Sequence, residues 1–319
     1  METETIKGLV IRSSRNIIIA RVKNADELEC RIKGKVLKTE KEIYNPVAPG
    51  DWVILERRKN SKNAMIISVE ERRNFFSRFN QKGKTSQFLA ANIDLVLCVC
   101  SPCSPPFRPR FLDRVLLQAE IAGIEAVVIC NKIDLFNGDL DTDERLEEYS
   151  RIGYKLLRVS AKTGEGIEEL NAEIKGKTCV LTGQSGVGKS SIINALTPGL
   201  SVKEGQINDK YDRGVHTTAM SVMFDLNCVS QDEKTQTRII DTPGFRRFIP
   251  DGIGAQDVIT YMREFSRLSG KCSFGLSCSH RVERGCKILE AVSAGVIHED
   301  RYESFLRITD DIAAKVNDE

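Results

Sequence analysis

A lysine and a serine close the glycine-rich octapeptide Gly183-Gln184-Ser185-Gly186-Val187-Gly188-Lys189-Ser190, with Ser191 behind them. Glycines at this spacing let a loop fold back so that its backbone N–H groups face phosphate oxygens. A helix opening at the lysine adds the positive end of its dipole. Lys189 would reach the outer phosphates of a nucleotide, and Ser190 would ligate Mg²⁺. The octapeptide names a nucleotide without naming its base. Asn131-Lys132-Ile133-Asp134 makes that choice, because a carboxylate at 134 can accept hydrogen bonds from guanine N1–H and the exocyclic amine. Adenine offers no such pair, and the discrimination should reach about 10⁴-fold or more. Asn131 would brace the loops and the Lys132 stem would lie along the base. Ser160-Ala161-Lys162 fits a companion loop whose Ala161 N–H meets guanine O6. In Asp241-Thr242-Pro243-Gly244, the aspartate would hold a Mg²⁺-bound water and the Gly244 N–H would meet the γ-phosphate.

Phe245 follows that glycine, where many GTPases carry a water-orienting glutamine, and an apolar side chain cannot orient the nucleophile. Slow intrinsic turnover is therefore expected, with a polar group from elsewhere in the chain or from a partner completing the site. His216 is the nearest internal candidate, although an exposed loop histidine is the plain alternative. One of the neighbouring Thr217 and Thr218 should complete the Mg²⁺ shell, and the sequence does not choose between them.

A second constellation lies near the C-terminus, where Cys272, Cys278, His280 and Cys286 form a C-x₅-C-x-H-x₅-C cluster on a loop-rich segment. Three thiolates and an imidazole suit one closed, tetrahedral, structural Zn²⁺ site that folds the segment and does no catalysis. Cys98, Cys100 and Cys103 also stand close together, but the first two belong to an apolar run, so core packing is favoured over a metal site. His298, in a polar helical tail, is given no role.

The elements that must position these groups follow from the hydrophobic pattern. Residues 1–72 carry five short apolar runs, at 8–11, 16–20, 34–37, 51–55 and 64–69, which predict an OB-type five-stranded β-barrel. Residues 73–90 are polar and basic and read as a linker. Residues 91–254 alternate strand and helix as a doubly wound parallel α/β sheet, with the motifs at the carboxyl ends of its strands. Residues 255–319 form a helical, zinc-binding unit. Within residues 91–254, residues 199–218 show no periodicity.

The chain has 319 residues, 41% of them apolar and 29% charged, as befits a soluble globular protein with two or three cores. No apolar run approaches the ~20 residues of a membrane span, and Met1-Glu2-Thr3-Glu4 does not open a signal peptide. A cytoplasmic location is therefore expected. Ten cysteines without a secretory signal indicate buried thiols and metal ligands in preference to disulfides. The net charge of +2 is uneven, since residues 1–85 hold 19 Lys or Arg against 11 Asp or Glu. That end is placed to face a polyanion, although basic surfaces often have no partner.

The order of the motifs carries the most information. An ordinary GTPase runs from phosphate loop to Asp-x-x-Gly turn to Asn-Lys-x-Asp, whereas here the base reader comes first, which implies a circular permutation. With a basic barrel in front and a Cys₃His unit behind, the chain resembles the circularly permuted ribosome-associated GTPases of the RsgA (YjeQ) family. The resemblance extends to Gly50-Asp51, Ala91-Asn92-Ile93-Asp94, Asp113-Arg114, Ala291-Val292 and Arg301-Tyr302-Glu303. It implies a bacterial, GTP- and Mg²⁺-dependent assembly factor that binds the 30S ribosomal subunit and its 16S rRNA late in maturation. Such a factor hydrolyses GTP to GDP and phosphate there, and leaves.

The resemblance also implies the zinc and a part for His216 in hydrolysis. Family members often carry Gly-x-His-Thr-Thr-Thr where this chain has Ala219 at the last position. Nothing calls for a membrane, for DNA or for more than a monomer. Other readings are a nucleotide-gated RNA-binding module without ribosome-stimulated turnover and a regulatory GTPase acting on proteins. An ATPase or kinase reading fails on Asp134.

Overall fold

The computed structural model describes residues 3–14, 17–23, 26–34, 43–59, 61–197, 220–226 and 236–317. Strands β1 (Thr3–Ser13), β2 (Ile18–Arg21), β3 (Glu27–Ile32), β4 (Trp52–Arg58) and β5 (Asn63–Val69) form the expected barrel. It closes because β4 pairs antiparallel with both β1 and β5, while β3 pairs parallel with β5. Alternate residues turn inward, among them Val10, Ala20, Leu28, Val53, Leu55 and Ile66. Among the described residues the third strand of the barrel is not the run expected from the sequence. It lies at Glu27–Ile32, where Leu28 and Cys30 alternate with exposed Glu27, Glu29 and Arg31, while Gly34 sits in a turn at φ +56°. Residues 35–37 lie outside the described residues.

The stretch expected to be a linker is an antiparallel hairpin of β6 (Phe75–Asn80) and β7 (Thr85–Ala91). Its charged residues hid an apolar set, Phe76, Leu89 and Ala90, that joins the core of the following sheet. The barrel is fastened to the hairpin at Gly50-Asp51. Gly50 has φ +95°, and a Cβ there would come 2.0 Å from the Ala91 carbonyl oxygen. The buried Asp51 carboxylate accepts two 2.7 Å hydrogen bonds from Arg72.

Next come β8 (Leu95–Cys100), α1 (Pro109–Ile121), β9 (Glu125–Asn131), α2 (Leu140–Arg151), β10 (Lys155–Val159), α3 (Ile167–Ile174), β11 (Thr178–Gly183), α4 (Lys189–Leu196), β12 (Ser221–Asp225) and β13 (Arg238–Asp241). The sheet order is β10-β9-β8-β11-β13-β12, parallel throughout except for β12, which runs antiparallel to β13. Both faces are covered, as a parallel sheet requires. Val96 and Cys98 face Leu112, Val115 and Leu116 of α1. Leu95 and Leu97 face Leu170 of α3 and Ile192 of α4. From β8 the chain steps outward to β10 and then returns to β11 on the other side of β8. The carboxyl ends of β8 and β11 therefore flank the topological switch point, where α/β sheets bind ligands.

The last residues form short helices α5 (Val258–Tyr261), α6 (Arg263–Ser266) and α7 (Lys287–Ser293) and the long α8 (Glu299–Asn317) around a core that includes Phe265, Ile288, Phe305 and Ile308. His298, given no role from sequence, accepts a 3.1 Å hydrogen bond on Nδ1 from the Asp300 N–H in the first turn of α8. Cys98 and Cys100 are buried in the sheet core, as their apolar surroundings predicted. No helix among the described residues is long and apolar enough to cross a membrane.

Candidate functional site

At the switch point Gly183 ends β11 against β8, so closely that a Cβ would lie 2.4 Å from the Val99 carbonyl oxygen. Gly186 and Gly188 take φ of +85° and +91°, which reverses the loop before α4 begins at Lys189. Lys189 is 8% exposed and folds back over the loop, donating from Nζ to the carbonyl oxygens of Gly183 (3.3 Å) and Gln184 (3.4 Å). Burial lowers its pKa, and the Asp241 charge opposes that shift. Burial likewise pushes the Asp241 carboxyl up to about 6, with Lys189 pulling the other way. Asp241 Oδ1 is buried without a hydrogen-bond partner among the described residues. A buried carboxylate oxygen left unpaired is costly, and a hydrated cation would satisfy it. The acid therefore fits a place behind a Mg²⁺-bound water.

Asn131, 1% exposed at the end of β9, joins two loops. Its Nδ2 donates to the Val187 carbonyl at 2.9 Å, and its Oδ1 accepts from the Ala161 N–H at 3.1 Å. Lys132 turns left-handed at φ +68° and sends Nζ to the carbonyl oxygens of Ser104 and Gly186, both at 2.7 Å. Asp134 follows in a one-turn 3₁₀ helix, where its Oδ1 accepts from Ser160 Oγ at 2.7 Å. Lys162 Nζ lies 3.9 Å from Asp134 Oδ2. The three sequence-predicted segments 131–134, 160–162 and 183–189 thus meet at the carboxyl ends of β9, β10 and β11.

The Asp-x-x-Gly turn closes on the same loop. A Cβ at Gly244 would come 2.7 Å from Ser185 Cα and 2.9 Å from its nitrogen, so that approach needs glycine. Thr242 anchors the turn through its N–H and hydroxyl, both donating to the Leu181 carbonyl at 3.1 and 3.0 Å. Phe245 points into the core, edge-on to Phe248 at 6.0 Å and covered by the Arg78 guanidinium at 4.3 Å. It supplies packing and no polar atom. His216, Thr217 and Thr218 lie outside the described residues.

Cys272, Cys278, His280 and Cys286 are all buried, with their ligand atoms within 4.8 Å of one another. Cys272 Sγ is 3.8 Å from Cys286 Sγ, and His280 Nδ1 is 3.6 and 3.4 Å from the same two sulfurs. Bond lengths of about 2.3 Å to sulfur and 2.0–2.1 Å to nitrogen in a tetrahedron give edges of about 3.8 and 3.6 Å. The cluster has zinc dimensions. The Lys287 N–H donates to Cys272 Sγ at 3.3 Å, which helps a thiolate. Without a metal, burial pushes the Cys278 thiol up to about 12.

Sequence reasoning missed a buried ionic network behind the site. Arg301 of α8 ion-pairs with Asp113 of α1 and, at 2.6 Å, with Glu264, and Tyr149 donates to Asp113 at 2.8 Å. Arg114 and Arg247 share Asp311 of α8, at 2.6 and 2.7 Å. These pairs join residues 36 to 197 positions apart, for which spacing gives no signal.

Comparison with known proteins agrees with this arrangement. The sequence profile of the RsgA GTPase matches residues 69–249. A small ribosomal subunit biogenesis GTPase RsgA of Bacteroides fragilis is 35% identical over 309 residues, covering 96% of this chain and 97% of that protein. The crystal structure of YjeQ from Thermotoga maritima superposes with a TM-score of 0.70 at 30% identity, covering 97% of this chain and 99% of that one. YloQ, described as a circularly permuted GTPase, shares the fold with a TM-score of 0.65 at 21% identity, over 98% of this chain and 96% of its own.

Proposed function

Because this chain belongs to the RsgA GTPase family, we propose that it holds one GTP across the splice of its permuted domain and hydrolyses it when docked on the small ribosomal subunit. In this reading Asp134 takes guanine N1–H and the exocyclic amine, the Ala161 N–H meets O6 and Lys132 covers the base plane. The backbone of residues 183–190 encloses the phosphates, with Lys189 on the outer ones. Ser190 and Asp241 hold Mg²⁺, directly and through water, together with Thr217 or Thr218. The bound ion would neutralise charge developing between the β- and γ-phosphates. The Gly244 N–H meets the γ-phosphate, and His216 orients the attacking water in place of the missing glutamine.

The observation that carries this reading is Asn131, whose two hydrogen bonds tie the phosphate loop to the base loops. Phe245, buried against Phe248, supports slow turnover in isolation. The relatives' name supplies the small subunit as partner. The excess of Lys and Arg in residues 1–85 supports contact with its 16S rRNA through the barrel, by a monomer in the cytoplasm. The Cys₃His cluster binds one structural Zn²⁺, and the chain divides into units at 1–72, 73–254 and 255–319, the hairpin of β6 and β7 going with the second. Residues 241–254 run straight from the γ-phosphate sensor towards the zinc unit, and Arg247 grips Asp311 of α8 at 2.7 Å. Loss of the γ-phosphate would slacken this stretch and release the subunit.

GTP hydrolysis with and without purified small subunits tests the proposal. Stimulation by orders of magnitude is expected. Equal rates would refute subunit-dependent turnover, and equal subunit affinity with GDP and a non-hydrolysable GTP analogue would refute the release step.

A further inference from the structure

A cavity of about 440 Å³ opens behind the phosphate loop, between the start of α1, the chain after Gly244 and the neighbouring ends of α2 and α8. Six arginines line it: Arg108, Arg110, Arg114, Arg145, Arg246 and Arg247. Their carboxylate partners are fewer. Arg110 pairs with Glu303, Arg145 with Asp141 and Asp300, and Arg114 shares the single Asp311 with Arg247. Arg108 and Arg246 are exposed and have no side-chain partner among the described residues. The cavity therefore keeps an excess of positive charge after internal pairing.

Two further observations point to a ligand and not merely to a basic surface. Gln184 of the phosphate loop is 9% exposed, and its side chain lines the cavity without a hydrogen-bond partner among the described residues. Phe107 and Phe111, half-buried against the core, add aromatic faces to the arginine wall. Guanidinium forks suit phosphate oxygens, and aromatic rings beside them suit a nucleobase. An acidic peptide would use only the first of these features. The volume falls in the range of small-ligand pockets, about 300–1,000 Å³.

We infer that this cavity takes one unstacked nucleotide of a single-stranded RNA, with its phosphate on Arg108 and Arg246 and its base against Phe107 and Phe111. The inference rests on the reading of the chain as an RNA-facing GTPase, and adds the place where RNA is felt by the nucleotide site. Arg246 follows Gly244 by two residues, and Gly244 lies against Ser185. Gln184 is itself part of the phosphate loop. An RNA nucleotide here presses on both segments that enclose the γ-phosphate without entering the GTP pocket.

The test uses the full chain and a short, fluorescently labelled single-stranded RNA carrying 4-thiouridine. Ultraviolet cross-linking should join the RNA to peptides containing residues 107–111 or 246–248. Cross-links confined to residues 3–69 would overturn the assignment. The double variant Arg108→Ala/Arg246→Ala should bind the RNA about tenfold more weakly or worse and reduce its log–log salt slope by about 2. GDP affinity and the thermal midpoint without RNA should be unchanged, which excludes misfolding as the cause. RNA affinity and salt slope equal to the unmodified chain would overturn the inference. Displacement of the RNA by adenosine monophosphate at matched nucleotide concentration would assign the cavity to free nucleotides and overturn the RNA assignment. Should small subunits fail to stimulate the unmodified protein, the proposed function falls, while cross-linking and salt slope still decide the cavity.

Discussion

Asn131→Ala is the perturbation whose magnitude the structure fixes best. The side chain is 1% exposed and makes two hydrogen bonds to backbone groups of different loops. Truncation orphans the Val187 carbonyl and the Ala161 N–H in a site that water reaches poorly, at about 1–3 kcal/mol for each group. The combined penalty of about 2–6 kcal/mol divides between global stability and the preorganisation of the pocket. If half of it falls on the pocket, about 1–3 kcal/mol, GDP affinity drops about 5- to 150-fold, since about 1.4 kcal/mol is a factor of ten. Asn131→Asp gives a sharper version. It keeps an acceptor for the Ala161 N–H but turns a carboxylate oxygen towards the Val187 carbonyl, adding lone-pair repulsion and a buried charge. The expected order of GDP affinity is therefore asparagine, then alanine, then aspartate. Isothermal titration with GDP, alongside urea unfolding of each variant without nucleotide, separates the two shares. Affinities for all three within about twofold would refute the idea that Asn131 joins the phosphate and base loops into one site.

Asp241 gives a pH signature. Its carboxyl, raised to about 6 by burial, favours the protonated state in the nucleotide-free fold, so its contribution to stability is full below the ordinary aspartate range and is lost as pH rises through about 6. Mg²⁺ needs the ionised form, so Mg²⁺-dependent GTP affinity should rise over the same window, and Asp241→Asn should flatten both profiles in titrations and unfolding. Stripping zinc with a chelator should lower the thermal midpoint and expose thiols to titration, and elemental analysis should find one zinc per chain in the untreated protein and less in Cys286→Ser. Arg301→Met leaves Asp113 and Glu264 buried without their cation, and urea unfolding should show a loss of about 3–5 kcal/mol. A loss below about 1 kcal/mol would show that the network does not hold α8 to α1.

Legibility in the sequence followed the range of the interactions. The central sheet was readable because its parallel strands are short apolar runs, several of them ending at a motif, as Thr178–Gly183 shows, and the start of α4 was marked by the lysine that opens it. The barrel's third strand was missed because Glu27–Ile32 hides its apolar set in charged alternation. The hairpin at 75–91 was taken for a linker for the same reason, since half its residues are polar and its other half needs the sheet core to make sense. At the site, local spacing revealed the phosphate loop, the base reader and the metal cluster. It could not reveal that Gly244 rests on Ser185, that Arg301 neutralises Asp113, or that arginines from three segments line one cavity, because those facts exist only after folding.

The most direct test of the account is a structure of the protein with GDP. It should place guanine N1–H and the exocyclic amine on the Asp134 carboxylate while the β-phosphate of the same molecule lies within the backbone of residues 183–190 beside Lys189. A nucleotide whose phosphates fill that loop while its base turns away from Asp134 would contradict the claim that the two sides of the permutation build one guanine site.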